Sequence, residues 1–193
     1  TSSTNPLVGY ANLYFAMAAL YLLGAIIILF LPKVGVASFG TKGALSDIAA
    51  GLVYVVKNTT VMIILVTTLV GVMLSMPYMF LLPIFTTDIW EVGPGGFGIL
   101  MSVSGVGAII GSLILASLPN KKRGIIYLAS LLLSGGSITV LAFSPWYNMA
   151  LIVMVVVGLG QAGRMALSNT LVQYYTEDSY RGRVMSIYMM EFG

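Results

Sequence analysis

Residues Gly158 to Gly193 read GLGQAGRMALSNTLVQYYTEDSYRGRVMSIYMMEFG, and they set the terms for the rest of the chain. Arg164 is the chain's one arginine inside a long apolar run. A short charged loop follows, Glu177-Asp178-Ser179-Tyr180-Arg181-Gly182-Arg183, and then a second apolar run carrying Glu191. An ionisable group inside a membrane span costs about 2.5 kcal/mol or more at mid-helix, so such a group marks a functional site by default. Two apolar runs joined by a charged turn, each with one ionisable residue, predict an all-α, polytopic transmembrane helical bundle.

Composition agrees. Of 193 residues, 59% are hydrophobic and only 8% charged, where a soluble domain carries about 25%. The net charge of +3 is no nucleic-acid footprint, because the basic residues sit in short loops between apolar runs. There is no Cys, hence no disulfide framework and no thiolate metal site. There is no His, which removes the commonest metal ligand and the usual general base. The sequence calls for no cofactor and no metal. Thr1-Ser-Ser-Thr-Asn-Pro6 has no basic n-region of a signal peptide. The abrupt ends, with Met189 to Gly193 stopping in mid-helix, read as a fragment of a longer protein.

Taken in order, Tyr10 to Pro32 form a first span of the length a bilayer requires, within a first segment 1–32. A polar connector, 33–58, holds Lys33, Lys42, Asp47 and Lys57. Within it Leu45, Ile48, Leu52, Val55 and Val56 recur at helical spacing, with Ser46, Asp47, Tyr54 and Lys57 opposite. This suits either a short helix on the membrane surface or a packed loop helix. The remainder, 59–193, holds four spans and the start of a fifth. Thr59 to Thr87 is interrupted by Pro77 and Pro83, which bend a membrane helix and free a carbonyl. Thr67, Gly71, Ser75 and Tyr78 share one side of it, facing either a neighbouring helix or a water-filled cavity. Asp88, Glu91 and Gly93-Pro94-Gly95-Gly96 read as a loop. Phe97 to Leu118 carries Ser104, Gly107, Ala108 and Gly111 at the small-xxx-small spacing of close helix contacts. Ile125 to Phe143, the aromatic turn Ser144-Pro145-Trp146-Tyr147-Asn148, Met149 to Tyr175 and a run from Val184 complete the chain.

Gly158-Leu-Gly160-Gln-Ala-Gly163 matches GxGxxG, with Glu177 and Asp178 at about the dinucleotide-fold distance. An apolar span on each side leaves no room for a soluble βαβ unit, so the glycines signify close packing or local flexibility. Gly93-Pro-Gly-Gly is no phosphate loop, for no Gly-Lys-Ser/Thr follows. In the same span Gln161, Arg164, Ser168 and Tyr175 share an arc of roughly 60°, flanked by Asn169 and Gln173. That stripe belongs in the bundle interior, as an interhelical network or as a working cavity.

Two longer runs carry a resemblance. Leu81-Leu-Pro-Ile-Phe-Thr-Thr-Asp88 and Gly95-Gly-Phe-Gly-Ile-Leu-Met-Ser-Val-Ser-Gly-Val-Gly-Ala-Ile-Ile-Gly111-Ser-Leu resemble the major facilitator superfamily. They are most similar to its drug:proton antiporter branch, which includes macrolide-type and siderophore exporters. Gly158-Leu-Gly, Asn169-Thr-Leu-Val-Gln173 and Arg181-Gly-Arg-Val-Met-Ser186 fit the same branch. The resemblance implies the sixth helix of a twelve-helix fold, the central cytoplasmic loop, helices seven to ten and the start of eleven, the N-terminal half being missing. It implies no enzyme but a multi-pass secondary transporter of the cell (inner) membrane. Such a protein exports a small amphipathic molecule against protons by alternating access about a midplane site. The substrate and cavity residues would be Thr67, Ser75, Tyr78, Gln161, Arg164, Ser168 and Asn169. The cytoplasmic loop motif would be Lys121, Lys122 and Arg123 with Asp178, Arg181 and Arg183. Asn120 stands where the family has an aspartate, leaving that basic cluster without its internal carboxylate. Arg164 stands where the branch carries an uncharged residue, which implies a part in substrate choice. The other classes are an integral-membrane enzyme and a channel subunit. The first needs a cluster of His, Cys or paired carboxylates and the second a filter segment; the sequence shows neither.

Arg164 and Glu191 form the candidate ion pair and proton site. At 1.5 Å per residue Arg164 lies about 20 Å from Glu177 and Glu191 about 12 Å from Arg183, a gap that two snorkelling side chains come close to spanning. Such a pair either holds two helices together or opens when substrate or a proton arrives.

Every loop lysine and arginine falls in 33–58, 119–124 or 176–183, and none in 88–96 or 144–148. The positive-inside rule puts the first set in the cytoplasm. Lys42→Cys and Lys122→Cys should therefore label from inside and Glu91→Cys from outside. Labelling of Glu91→Cys from the cytoplasm alone would sink this topology.

Overall fold

The computed structural model describes residues 6–30, 44–119 and 122–192. Among them are seven α-helices and no strand. The chain divides into two compact units, Thr1–Thr41 and Lys42–Gly193. In the first, α1 (Pro6–Leu29) is a single 24-residue helix without a charge. It opens on a proline, whose missing N–H costs nothing in a first turn. Its expected end at Pro32-Lys33 lies outside the described residues, as do Lys42, Asn120 and Lys121.

The second unit contains α2 (Ala44–Lys57), α3 (Thr59–Ile84), α4 (Gly93–Ser117), α5 (Arg123–Ala142), α6 (Tyr147–Tyr175) and α7 (Arg181–Met190). Four stretches are long and apolar enough to cross a membrane: Thr59–Ile89, Gly93–Ser117, Arg123–Ala142 and Tyr147–Tyr175. They are the second to fifth spans predicted from the sequence. Asn58 caps α3, its side-chain oxygen accepting the Val61 N–H at 3.2 Å. Pro77 and Pro83 lie inside α3, which passes into a π-helical turn over Phe85–Ile89. Thr86 and Thr87 donate their hydroxyls to the Pro83 carbonyl at 2.8 and 3.1 Å.

Two turns differ from expectation. Gly93 to Gly96 are the first turn of α4, with proline where the helix start favours it, and the reversal is made by Trp90 to Val92. Glu91 (φ 53°) and Gly93 (φ 65°) take the left-handed conformations this needs. Arg181 and Arg183, expected in a loop, belong to the first turn of α7. The connection shrinks to Thr176–Tyr180, closed by the Tyr180 N–H on the Glu177 carbonyl at 2.9 Å.

α6 is the axis of the unit, with α4 and α5 packed along it. The reason is a set of glycines on opposite sides of it. A Cβ on Gly158 would run into the Ser104 carbonyl of α4, and one on Gly107 into the Val155 carbonyl of α6. A Cβ on Gly111 would lie 2.8 Å from the Leu159 oxygen. On the other side a Cβ on Gly160 would lie 2.8 Å from the Ser134 nitrogen of α5, and one on Gly163 would meet the Ser130 hydroxyl. The GxGxxG run is thus a two-sided packing surface, facing α4 through Gly158 and α5 through Gly160 and Gly163. Lipid tails are as apolar as leucine, so helices in lipid gain by close backbone approach rather than by hiding hydrophobic area.

The apolar core is split. One cluster gathers Val61, Ile64 and Leu65 of α3, Tyr127 of α5, Leu167, Leu171 and Val172 of α6, and Val184 and Tyr188 of α7. The other gathers Leu82, Trp90, Leu100, Leu141, Ala150, Met154 and Val157. Above the second, the Trp90 indole N–H donates to the Ser144 carbonyl at 3.1 Å and the Tyr147 hydroxyl to the Gly96 carbonyl at 2.9 Å. These bonds tie the α3–α4 turn to the α5–α6 turn. Between the clusters α6 presents Gln161 and Arg164, α3 presents Thr68, Gly71 and Tyr78, and α5 presents Ser134.

The expected close contact at Gly107 and Gly111 is therefore present. Gly111→Leu should lower stability in detergent by about 1–3 kcal/mol, the cost of overpacking, and Gly107→Leu, against a carbonyl, by more. Wild-type thermal stability of Gly107→Leu would mean that this face looks into lipid.

Candidate functional site

The polar level between the two clusters is built mostly from α3 and α6. The Gln161 amide donates to the Tyr78 hydroxyl at 2.8 Å. Three residues on, Arg164 is 7% exposed, and its Nε and Nη1 have no hydrogen-bond partner. Its side chain runs past Gly71 of α3. A Cβ there would lie 3.5 Å from Arg164 Cδ and 3.7 Å from Nη1. Four residues further, Ser168 is fully buried and shares a hydrogen bond of 2.9 Å with the Tyr188 hydroxyl of α7. The inward stripe thus joins α3 at one end and α7 at the other. Tyr175, on the same arc, is 46% exposed and lies beyond it. Asn169 is half-buried and accepts from Gln173 at 2.5 Å.

On α3 the Thr67 hydroxyl bonds the Ile63 and Ile64 carbonyls and lies 3.1 Å from the Tyr127 hydroxyl. Ser75 donates to the Gly71 carbonyl at 2.6 Å, which spends its proton within its own helix. Glu191 follows the last turn of α7, with one carboxylate oxygen buried and without a partner. Arg164 and Glu191 are not in ion-pair contact; Tyr188 lies within electrostatic reach of both.

The basic loop residues separate into two places. Lys121 is outside the described residues. Lys122 is exposed in a left-handed conformation (φ 60°) just before α5, which Arg123 begins. At the other turn Asp178 pairs with Arg181 at 2.5 Å, and Arg183 with Asp47 of α2 at 2.7 Å. The second pair belongs to a clamp. The Tyr54 ring stacks on Tyr180 at 4.5 Å, its hydroxyl accepts the Glu177 N–H at 3.1 Å, and Gly51 leaves room for Arg183 and Ile187. So α2 is a packed helix that meets the protein with Asp47, Gly51 and Tyr54. Of its apolar set Val55 is buried, while Leu52 and Val56 are exposed.

The family model of the Major Facilitator Superfamily matches residues 4–193. The chain belongs to the Major Facilitator Superfamily. No curated protein and no solved structure matches it significantly. This facilitator is accordingly a multi-pass membrane transporter, and its polar level sits within four helices of membrane-spanning length.

Several members of that level, Ser134 of α5 among them, were not singled out from the facilitator's sequence. Tyr127 bonds Thr68 at 2.9 Å as well as Thr67, and Tyr188 bonds Ser168. Thr68, Tyr127 and Tyr188 each place a hydroxyl inside an apolar run. That signal is visible, but which face of the helix it occupies is not. Among the described residues no cluster of His, Cys, Asp and Glu could hold a metal ion.

The α2 clamp should depend on Tyr54 more than on charge. Tyr54→Leu loses a stacked ring and a hydrogen-bond acceptor and should cost about 1–2 kcal/mol. Asp47→Ala breaks a part-exposed pair and should cost about 0.2–1 kcal/mol. Thermal unfolding of the two variants in detergent gives the order. The reverse order would show that the ion pair holds α2 in place.

Proposed function

We propose that this facilitator is a proton-coupled secondary transporter that exports a small amphipathic molecule across the cell (inner) membrane by alternating access. The α2–α7 end and the loop before α5 face the cytoplasm in this reading. The positive-inside rule supports that orientation, because the basic loops lie there. The resemblance to drug:proton antiporters supports the direction and the coupling ion.

The observation that carries the reading is Arg164. A guanidinium held at this level with unused N–H groups is very unfavourable unless something outside the fold completes it. A transporter has a use for such a group, since its partner arrives and leaves with each cycle. Glu191 supplies the complementary half. Its buried, unpartnered carboxylate oxygen makes it the proton carrier in this reading. Arg164 and Glu191 then pair in one state of the cycle and part in the other, and the separated arrangement described above is the open one. Ser168 and Tyr188, hydrogen-bonded to each other between α6 and α7, register the two helices against one another as the charges change.

Glu191→Gln should abolish proton-driven flux in energised vesicles while leaving substrate-driven exchange in place, because the neutral amide mimics a permanently protonated site. Arg164→Ala should reduce both. Proton-driven flux at the wild-type rate in both single variants would remove the two residues from the mechanism.

A further inference from the structure

Between α3 and α5 lies a partly open cavity of about 270 Å³ that Arg164 helps to line. Its walls are mostly aliphatic, from Val66, Val70, Leu74 and Leu131. A second cleft of about 230 Å³ adjoins it through Leu74 and continues along Tyr78, Phe85 and Ile138. Two residues lining the first cavity hold buried polar atoms without a hydrogen-bond partner: Arg164, at Nε and Nη1, and Ser134, at its hydroxyl. Arg164 is 7% exposed and Ser134 2%. The other hydroxyls of that wall are committed, Thr67 and Ser75 each to a carbonyl of their own helix.

A guanidinium has only donors, and it stays charged at any accessible pH. What completes it is an acceptor with negative charge. The absence of a side chain at Gly71 lets Leu131 and the Arg164 side chain lie close against α3, a Cβ there falling 3.0 Å from Leu131 Cδ2 and 3.7 Å from Nη1. Away from Arg164 and Ser134 the cavity and its neighbouring cleft offer apolar surface, so the remainder of an occupant must be apolar. A cation would meet Arg164 with like charge, and a neutral amphiphile would leave it uncompensated. From this combination we infer that the paired clefts take an amphipathic carboxylate. Its anionic head sits on Arg164 and Ser134, and its alkyl or aryl body lies along Leu74, Tyr78 and Ile138. The inference deepens the transport reading and rests on it for the cavity lying on the substrate's path. Arg164 here is a substrate-binding residue and Ser134 its accessory donor.

The test is equilibrium binding, which needs no flux. The full-length transporter in maltoside micelles at pH 8 is titrated calorimetrically with decanoate and with decan-1-ol, which share a chain and differ in charge. Wild type should bind decanoate at least about tenfold more tightly, the difference made by one hydrogen bond to a charged group. Arg164→Gln should bring the two to parity by weakening decanoate alone. Arg164→Lys should keep part of the preference, and Ser134→Ala should weaken decanoate by a few-fold. Parity in wild type, or an undiminished preference in Arg164→Gln, would overturn the assignment. The wild-type comparison stands even if Arg164→Gln does not fold. Phosphatidylglycerol forms a third arm. Its displacement of decanoate at matched mole fraction would assign the site to a lipid headgroup and overturn a transported carboxylate. Loss of proton-driven flux, by contrast, bears on the transport reading and leaves the binding preference untouched.

Discussion

A side chain at Gly158 would meet a backbone carbonyl of α4, and a side chain at Gly160 the backbone of α5. Those two exclusions lie on opposite sides of one helix, and they hold α6 between its neighbours at a separation no other residue type permits. Close approach is what stabilises helix pairs in lipid, where apolar burial gives no advantage of its own. It also sets the depth of everything else on α6. With Gly158, Gly160 and Gly163 facing α4 and α5, the helical repeat leaves Gln161 and Arg164 nothing to face but the α3 side of the interior.

The split core follows from the same arrangement. Apolar clusters above and below lower the polarity around the level where Arg164 sits, and they raise the cost of leaving it unpaired. A fold seeking stability alone would place a carboxylate there or replace the arginine. This chain keeps Glu191 just past α7 without ion-pair contact to Arg164, and spends most of its neutral hydroxyls on each other and on backbone carbonyls. The charged groups are left with unused valence, and the uncharged ones, Ser134 apart, are satisfied. That division separates the parts of the level that hold the helices from the parts able to take a visitor.

Much of this was legible in the sequence. Four spans, the inward side of the stripe at Gln161, Arg164 and Ser168, and the close contact at Gly107 and Gly111 all follow from periodicity and residue size. What was not legible depends on tertiary choice. Gly93 to Gly96 carries every mark of a loop, yet a proline at a helix start is as compatible with a first turn. Arg181-Gly-Arg183 looks like a charged linker, but Asp47 and Tyr180 give its second arginine partners that favour a helix beginning earlier. The face of α2 that docks, Asp47, Gly51, Tyr54 and Val55, straddles the apolar and polar sides read from its periodicity. Tyr127 and Tyr188 are ordinary residues of apolar runs until Thr68 and Ser168 are brought opposite them.

The prolines of α3 bear on the mechanics of the unit. α4, α6 and α5 meet backbone to backbone at Gly107, Gly111, Gly158 and Gly160, and at those points the three helices form one close-packed plate. α3 meets that plate through flexible side chains such as Tyr78, Gln161 and Arg164. Its own ladder is interrupted at Pro77 and Pro83 and loosened again by the π-helical turn at Phe85–Ile89. Compliance is therefore concentrated in one wall of the cavity. A load applied at Arg164, by an arriving charge or a departing one, deflects the outer half of α3 before it strains the plate.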